Sequence, residues 1–330
     1  MKIVTAEDLD RILTYPTLVE ALRAAFRTEV TVPLRHHHPI ARPGAEAMVL
    51  LMPAWTGGEG SFLGCKIVTV FPDNAKLQRP SIYGSYMLMS GETGEPLAVM
   101  DGTTLTAWRT ACASALAASY LAREDAAHLV MIGAGALAPH LVRAHASVRT
   151  IRRVTLWNRT RKRAVQTAFG LSVGGLEVEV SDDLEAAVRD ADIVSCATLS
   201  ATPIVRGKWL KKGAHVDLVG AYTPKMRESD DDAIRKSRVY VDTRAGALKE
   251  GGDIVLPLKS GALKKENVRG DLFELCRGEA KGRSGNMQIT LFKSVGTGIQ
   301  DIALAAVIYR RAKERRIGTD IGVFPYLKET

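Results

Sequence analysis

No C-x-x-C pair, no internal repeat and no low-complexity tract occurs in this chain. Its four cysteines, Cys65, Cys112, Cys196 and Cys276, are scattered over 330 residues. That spacing excludes a disulfide framework and a zinc site, and it suits reduced thiols in the cytoplasm. A membrane-spanning helix needs about 18 or more consecutive apolar residues, and the chain has no such run. The opening MKIVTAEDLD lacks a charged stretch followed by an apolar one, so no secretory signal is expected. Aromatic residues make up only 6%. None forms a stacking set beside the basic clusters at Arg149, Arg152, Arg153, Arg159, Arg161, Lys162 and Arg163, or at Arg310, Arg311, Lys313, Arg315 and Arg316. The net charge of +9 therefore reads as solvated faces plus a site for a small polyanion, with no nucleic-acid partner. His36, His37 and His38 lack companion cysteines or aspartates. They are expected in a loop near a substrate mouth, and no metal is expected.

What is present is a core-forming composition, 46% hydrophobic and 25% charged, long enough for two domains. Thr5 and Asp8 make a near capping box. Tyr15-Pro16-Thr17 opens a helix in which Leu18, Ala21, Leu22, Ala25 and Phe26 recur at helical spacing. Between residues 31 and 100, short apolar runs separated by Gly, Pro, Asp and Asn predict strands. An Ala-rich helix follows from Asp101 to Leu121. From His128 strand and helix alternate, through LVMIG, APHLVRAHASV, VTLWN, RKRAVQTAF, VEVS, LEAAVRDA, DIVSCAT, HVDLVG, SDDDAIRKS and VYVDT. Alternation of this kind predicts a parallel, doubly wound sheet. The expected fold is thus α/β, with an α+β substrate-binding and dimerisation domain over 1–121, completed by a final helix in 300–330. A Rossmann dinucleotide-binding domain is expected over 122–299.

Gly133-Ala134-Gly135-Ala136-Leu137-Ala138 reads G-x-G-x-x-A between a strand and a helix. Gly133 permits the tight turn and Gly135 admits a pyrophosphate. Ala138 allows close helix–strand packing, and the helix N-terminus faces the anion. The tip of the next strand, Trp157-Asn158-Arg159-Thr160-Arg161, carries no acid to accept a ribose 2′-hydroxyl. Arginine there suits a 2′-phosphate, so NADPH is expected, with NADH the weaker cofactor. Downstream, VGAYTPKMRE (219–228) opens a loop at a strand end with Tyr222 at its centre.

Three cations stand in apolar or turn-rich settings: Arg35 in PLRHHHP, Lys66 in GCKIVTVF and Arg109 in LTAWRTACAS. A lysine or arginine in such surroundings needs an anion or a perturbed pKa. A structural ion pair and a ligand-binding role both satisfy that requirement.

LTAWRTACASALAASYLAR, VMIGAGALA, VGAYTPKMRE and LFKSVGTGIQD together, in order and spacing, resemble the ornithine cyclodeaminase/mu-crystallin family over nearly the whole chain. The resemblance implies a homodimer of Rossmann and substrate domains. It places Arg35 and Lys66 on a substrate carboxylate, Ser81 and Arg109 on the cofactor, and Ala136 and Leu137 at the pyrophosphate turn. Asn158, Arg159 and Thr160 fall on the adenosine ribose. Thr198 with the Val219 and Gly220 backbone falls on the nicotinamide side, and Ser294 and Val295 at the ring and the substrate. Asp301, where the family pattern also has an acid, is expected to orient a substrate nitrogen or a water, or to cap the last helix. Lys66 or a water near Asp301 is the expected proton source.

One position departs from the cyclodeaminases. Their loop reads G-G-D-x-P-G-K, and the catalytic aspartate falls on Tyr222 here. A phenol with pKa near 10 is a poor base at neutral pH. Ornithine cyclodeamination is therefore not expected, and alanine dehydrogenation is less favoured too. The loop resembles that of the bacterial cyclic-imine reductases, which implies reduction of Δ1-pyrroline-2-carboxylate to L-proline, and of Δ1-piperideine-2-carboxylate to L-pipecolate. Tyr222 then offers a ring wall or hydroxyl to a small cyclic imino acid. The alternatives carried forward are an NADP(H)-dependent ketimine reductase or binding protein of the mu-crystallin kind, and an amino-acid dehydrogenase or ornithine cyclodeaminase.

Overall fold

The computed structural model describes residues 1–172 and 176–322. In the first stretch, β1 (Lys2–Val4) leads to α1 (Ala6–Ile12) and α2 (Tyr15–Ala25), followed by β2 (Val30–Thr31) and β3 (His36–Ile40). Four longer strands follow: β4 (Ala47–Thr56), β5 (Phe62–Val70), β6 (Ile82–Ser90) and β7 (Pro96–Asp101). The Thr5–Asp8 capping box is complete in both directions, and Pro16 occupies the first turn of α2, where its missing N–H costs nothing. The three histidines are on β3, paired antiparallel with Leu51, Leu50 and Val49 of β4. The expected loop is thus a strand, because the backbone of β4 offers a ladder that the His-rich sequence does not advertise.

Helix α3 (Gly102–Leu121) carries the boundary between two compact units. The first unit comprises residues 1–109 and 298–330, and the second comprises 110–297.

The second unit continues with β8 (His128–Ile132), α4 (Leu137–Val148), β9 (Arg153–Trp157), α5 (Arg161–Ser172), β10 (Glu177–Val180) and α6 (Leu184–Asp190). Next come β11 (Ile193–Cys196), β12 (His215–Leu218), α7 (Asp231–Lys236), β13 (Ser237–Val241), α8 (Arg244–Glu250) and α9 (Gly252–Ser260). It ends with β14 (Val268–Asp271), α10 (Leu272–Arg277) and β15 (Ile289–Lys293). All recorded pairings in its sheet are parallel, in the order β10-β9-β8-β11-β12-β15-β13-β14. Every residue of β8, β11 and β12 is buried, as expected for parallel strands covered on both faces. Strand order reverses between β8 and β11, and ligands of open α/β sheets bind beyond the carboxyl ends of strands at such a switch point.

The chain closes with α11 (Gly298–Glu314) and β16 (Thr319–Asp320). In the first unit the sheet runs β16-β1-β7-β6-β5-β4-β2, with β3 beside β4. Helix α11 packs on α2 and on β4 and β5. Gly298 faces Ala54 and Val32 there at a distance that leaves little room for a side chain.

Candidate active site

In the first unit, β5 and α11 bring Lys66 and Asp301 together. Lys66 Nζ donates to Asp301 Oδ1 at 2.8 Å and is equally close to Oδ2. Both side chains are almost completely inaccessible, at 2% and 1%. Arg109 Nε lies 3.2 Å from Asp301 Oδ1, while its Nη1 donates to Gln300 Oε1 at 3.0 Å. Burial pushes the Lys66 ammonium down to about 8; Asp301 opposes that, and the Arg109 and Arg35 guanidiniums add to it. Lys66 therefore has both the anionic partner and the perturbed pKa that its apolar strand demands. Across the sheet from Lys66 stands Tyr86, whose hydroxyl is driven well above its usual range by burial first and Asp301 second.

Two cations, Lys66 and Arg109, thus share one carboxylate, and the Arg35 guanidinium is near enough to act on Lys66. The imbalance favours one more anion, and a carboxylate can accept charge-assisted bonds from lysine and arginine together. Ser81 is at the foot of β6, where its carbonyl accepts from Phe71 N at 2.7 Å; it is not part of this cluster.

In the second unit the loops that follow β8, β9, β11, β12 and β15 gather at one end of the sheet. Gly133 has φ 102°, and a Cβ there would lie 2.6 Å from Ala197 O. Gly135 has open space where its Cβ would be. Helix α4 begins at Leu137 after Ala136 with no side-chain cap, so its first-turn amides are donors free of a competing side chain, the requirement of a pyrophosphate site. The turn is tied to the β9 tip by Ala134 N donating to Asn158 Oδ1 at 3.2 Å, and Asn158 Nδ2 donates to Thr160 O at 2.9 Å. Arg159 and Thr160 are exposed. Arg161 is taken by Asp182, whereas Arg159 has no ion pair among the described residues. The residues present thus fit a dinucleotide.

Beyond β11 and β12, Thr198 and Gly220 are in direct contact; a Cβ on Gly220 would fall 1.9 Å from Thr198 O. Val219 N donates to Cys196 O at 2.8 Å. Tyr222 is 41% exposed; its backbone N–H donates to Gly220 O at 3.1 Å. Its hydroxyl has no hydrogen bond among the described residues. Ser294 N donates to Leu218 O at 3.2 Å. Val295 N and Gly296 N donate to Asp242 Oδ2 at 2.9 and 2.7 Å.

Sequence reasoning overlooked Glu228, the last residue of the stretch 219–228. Its carboxylate is fully buried and accepts from Thr198 N, Thr198 Oγ1, Gly220 N and Ala221 N. The sequence signal was a lone acid ending a loop, which says nothing of its partners.

No helix among the described residues is long and apolar enough to cross a membrane. No group of three or more potential metal ligands occurs among them either.

Comparison with known proteins shows what this arrangement resembles. The chain is 40% identical to Protein SAR DEFICIENT 4 of Arabidopsis thaliana, covering 93% of this chain and 96% of that one. It is 37% identical to Delta(1)-pyrroline-2-carboxylate reductase of Colwellia psychrerythraea, over 92% and 97% of the two chains. Among solved structures, that of Thermococcus litoralis Delta(1)-pyrroline-2-carboxylate reductase, in complex with NADH and L-proline, superposes with a TM-score of 0.91. It is 34% identical, covering 97% of this chain and 100% of that one. The sequence profile of the ornithine cyclodeaminase/mu-crystallin family matches residues 2–316, and the chain belongs to that family.

Proposed function

We propose that the chain is a nicotinamide-dependent reductase of cyclic imino acids that converts Δ1-pyrroline-2-carboxylate to L-proline and prefers NADPH. The observation that carries this reading is the buried cluster in which Lys66 and Arg109 share the single carboxylate of Asp301, with the Arg35 guanidinium acting on Lys66. The absence of a carboxylate at Tyr222 supports it, since a cyclodeaminase needs a base there. The relatives named Delta(1)-pyrroline-2-carboxylate reductase point the same way.

Arg35 and Lys66 hold the substrate carboxylate by charge-assisted hydrogen bonds. When bound, the nicotinamide supplies the hydride that C2 of the imine accepts. The C=N π pair becomes a nitrogen lone pair, so a protonated imine leaves as a neutral secondary amine. An imine that enters neutral takes a proton from Lys66 or from a water beside Asp301. The protein's contribution is orientation and neutralisation of charge, because the protonated imine is already electrophilic. Arg159 receives the 2′-phosphate, and Val295 and Tyr222 border the ring. The chain is expected to work as a homodimer.

Oxidation of NADPH on addition of Δ1-pyrroline-2-carboxylate and Δ1-piperideine-2-carboxylate, followed by chiral analysis of the products, tests the reading. Turnover of both imines to L-products is expected. Tight binding of the imines without NADPH oxidation would instead describe a binding protein.

A further inference from the structure

We propose that Glu228 is the positioning residue of the cofactor site, a buried carboxylate that locks the loops beyond β11 and β12 in the conformation that receives the nicotinamide half of the dinucleotide. The inference rests on the reading of the second unit as a dinucleotide-binding domain, not on the identity of the imine.

Each carboxylate oxygen serves one loop. Oε1 accepts from Thr198 N at 2.7 Å and Thr198 Oγ1 at 2.9 Å, beyond β11. Oε2 accepts from Gly220 N at 2.7 Å and Ala221 N at 3.2 Å, beyond β12. Four donors and no acceptor meet the group, which is the environment of an ionised carboxylate. The two loops touch at Gly220 and Thr198 with no room for a Cβ, so the clamp sets their spacing. It acts beside the β8–β11 switch point. Glu228 itself is held from below: Asp253 Oδ1, on α9, accepts from Glu228 N at 2.8 Å and Ser229 N at 2.9 Å.

The charged and titratable groups facing Glu228 are few. Lys293 Nζ, from the end of β15, lies 3.9 Å from Glu228 Oε2 and 3.4 Å from Asp253 Oδ2. Cys196 of β11 completes the set, its thiol driven up by burial and then by Glu228. Burial raises Glu228 to about 7, with Lys293 opposing and Asp253 assisting. Above that pH the carboxylate is ionised and the clamp is intact. Below it one oxygen carries a proton that faces N–H donors, and only one of the two loops keeps an acceptor.

A glutamine has one acceptor oxygen, so Glu228→Gln satisfies one loop and turns an NH2 on the donors of the other. Thr198→Val removes one donor and leaves the carboxylate. Calorimetric titration of the full chain with NADP+ and with its truncated form, 2′-phospho-ADP-ribose, separates the two halves of the cofactor. Glu228→Gln is expected to weaken NADP+ about tenfold or more while leaving 2′-phospho-ADP-ribose unchanged. Thr198→Val should show a smaller loss of the same kind. Wild-type affinity for NADP+, but not for the truncated ligand, should fall as pH drops through about 7. If Glu228→Gln fails to fold by circular dichroism, Thr198→Val and the wild-type pH series decide. Equal losses for both ligands, or none for either, would overturn the proposal. Should wild type bind NADP+ and reduce no imine, the imine assignment fails while this test stands.

Discussion

Lys66 carries opposite demands for binding and for folding. Its ammonium is held at about 8 against an ordinary 10.5. The proposed clamp on the substrate carboxylate is therefore charged below about 8 and weakens as pH rises through that value, so the KM for the imino acid should climb on the alkaline side. Stability should move the other way. The unfolded chain holds the Lys66 proton more tightly, so between about 8 and 10.5 the contribution of Lys66 to stability grows with pH. Urea unfolding of wild type and Lys66→Met across that range checks the sign; the variant should lose the rise. Lys66→Ala should lower kcat/KM by about 100-fold or more, since removing one partner of a buried pair leaves the rest uncompensated. Near-normal kinetics would take Lys66 out of the mechanism. Tyr222 is half exposed and ties nothing down through its side chain, so Tyr222→Asp should unfold within about 0.5 kcal/mol of wild type. Lys66 and Arg109 were legible in the sequence because cations in apolar elements demand an anion. That the anion is Asp301, 235 residues from Lys66, was not legible as a pairing, because no local pattern records which strand and helix will pack.

At the scale of elements, two glycines in the loops at the sheet's end make opposite predictions. Gly135 has open space where a Cβ would stand. Gly135→Ala should leave the denaturation midpoint nearly unchanged and weaken dinucleotide binding, measured by NADPH fluorescence titration, because the methyl group would occupy the proposed approach of the pyrophosphate. Gly220 has no such space, its Cβ falling 1.9 Å from Thr198 O. Gly220→Ala should destabilise by about 1–3 kcal/mol or more, read by urea unfolding, as one of the two loops is forced aside. The glycine turn, the strands and helices of 128–243 and the capping box were legible because each has a local signature in period, glycine spacing or cap. Strand β15 and helices α8 to α10 were not read. Their segments are short and lie among lysines and glycines, and β15 gains its place only by pairing between β12 and β13. The histidines of β3 escaped for a similar reason: strand character there comes from the neighbour, not from the residues themselves.

For the molecule as a whole, the proposed preference for NADPH turns on Arg159. It stands exposed at the β9 tip, while the neighbouring Arg161 is engaged by Asp182. Arg159→Ala should therefore narrow the preference for NADPH over NADH by about 10-fold, as expected from losing a charge-assisted contact to phosphate, and Arg161→Ala should have little effect. The ratio of kcat/KM values for the two cofactors measures this. The family was legible from four motifs in order, and the departure at Tyr222 narrowed its chemistry. Glu228, which joins the loop after β11 to the loop after β12, was not, because a buried clamp is written in three dimensions only. The proposed chemistry is reduction of a cyclic imino acid without deamination of ornithine. The most direct measurement follows NADPH absorbance and product chirality with Δ1-pyrroline-2-carboxylate, and ammonia release with L-ornithine, on the same preparation. The expected result is NADPH oxidation with one L-proline formed per cofactor consumed, and no ammonia from ornithine. Ammonia and proline from ornithine, or inertness toward every cyclic imine offered, would contradict it.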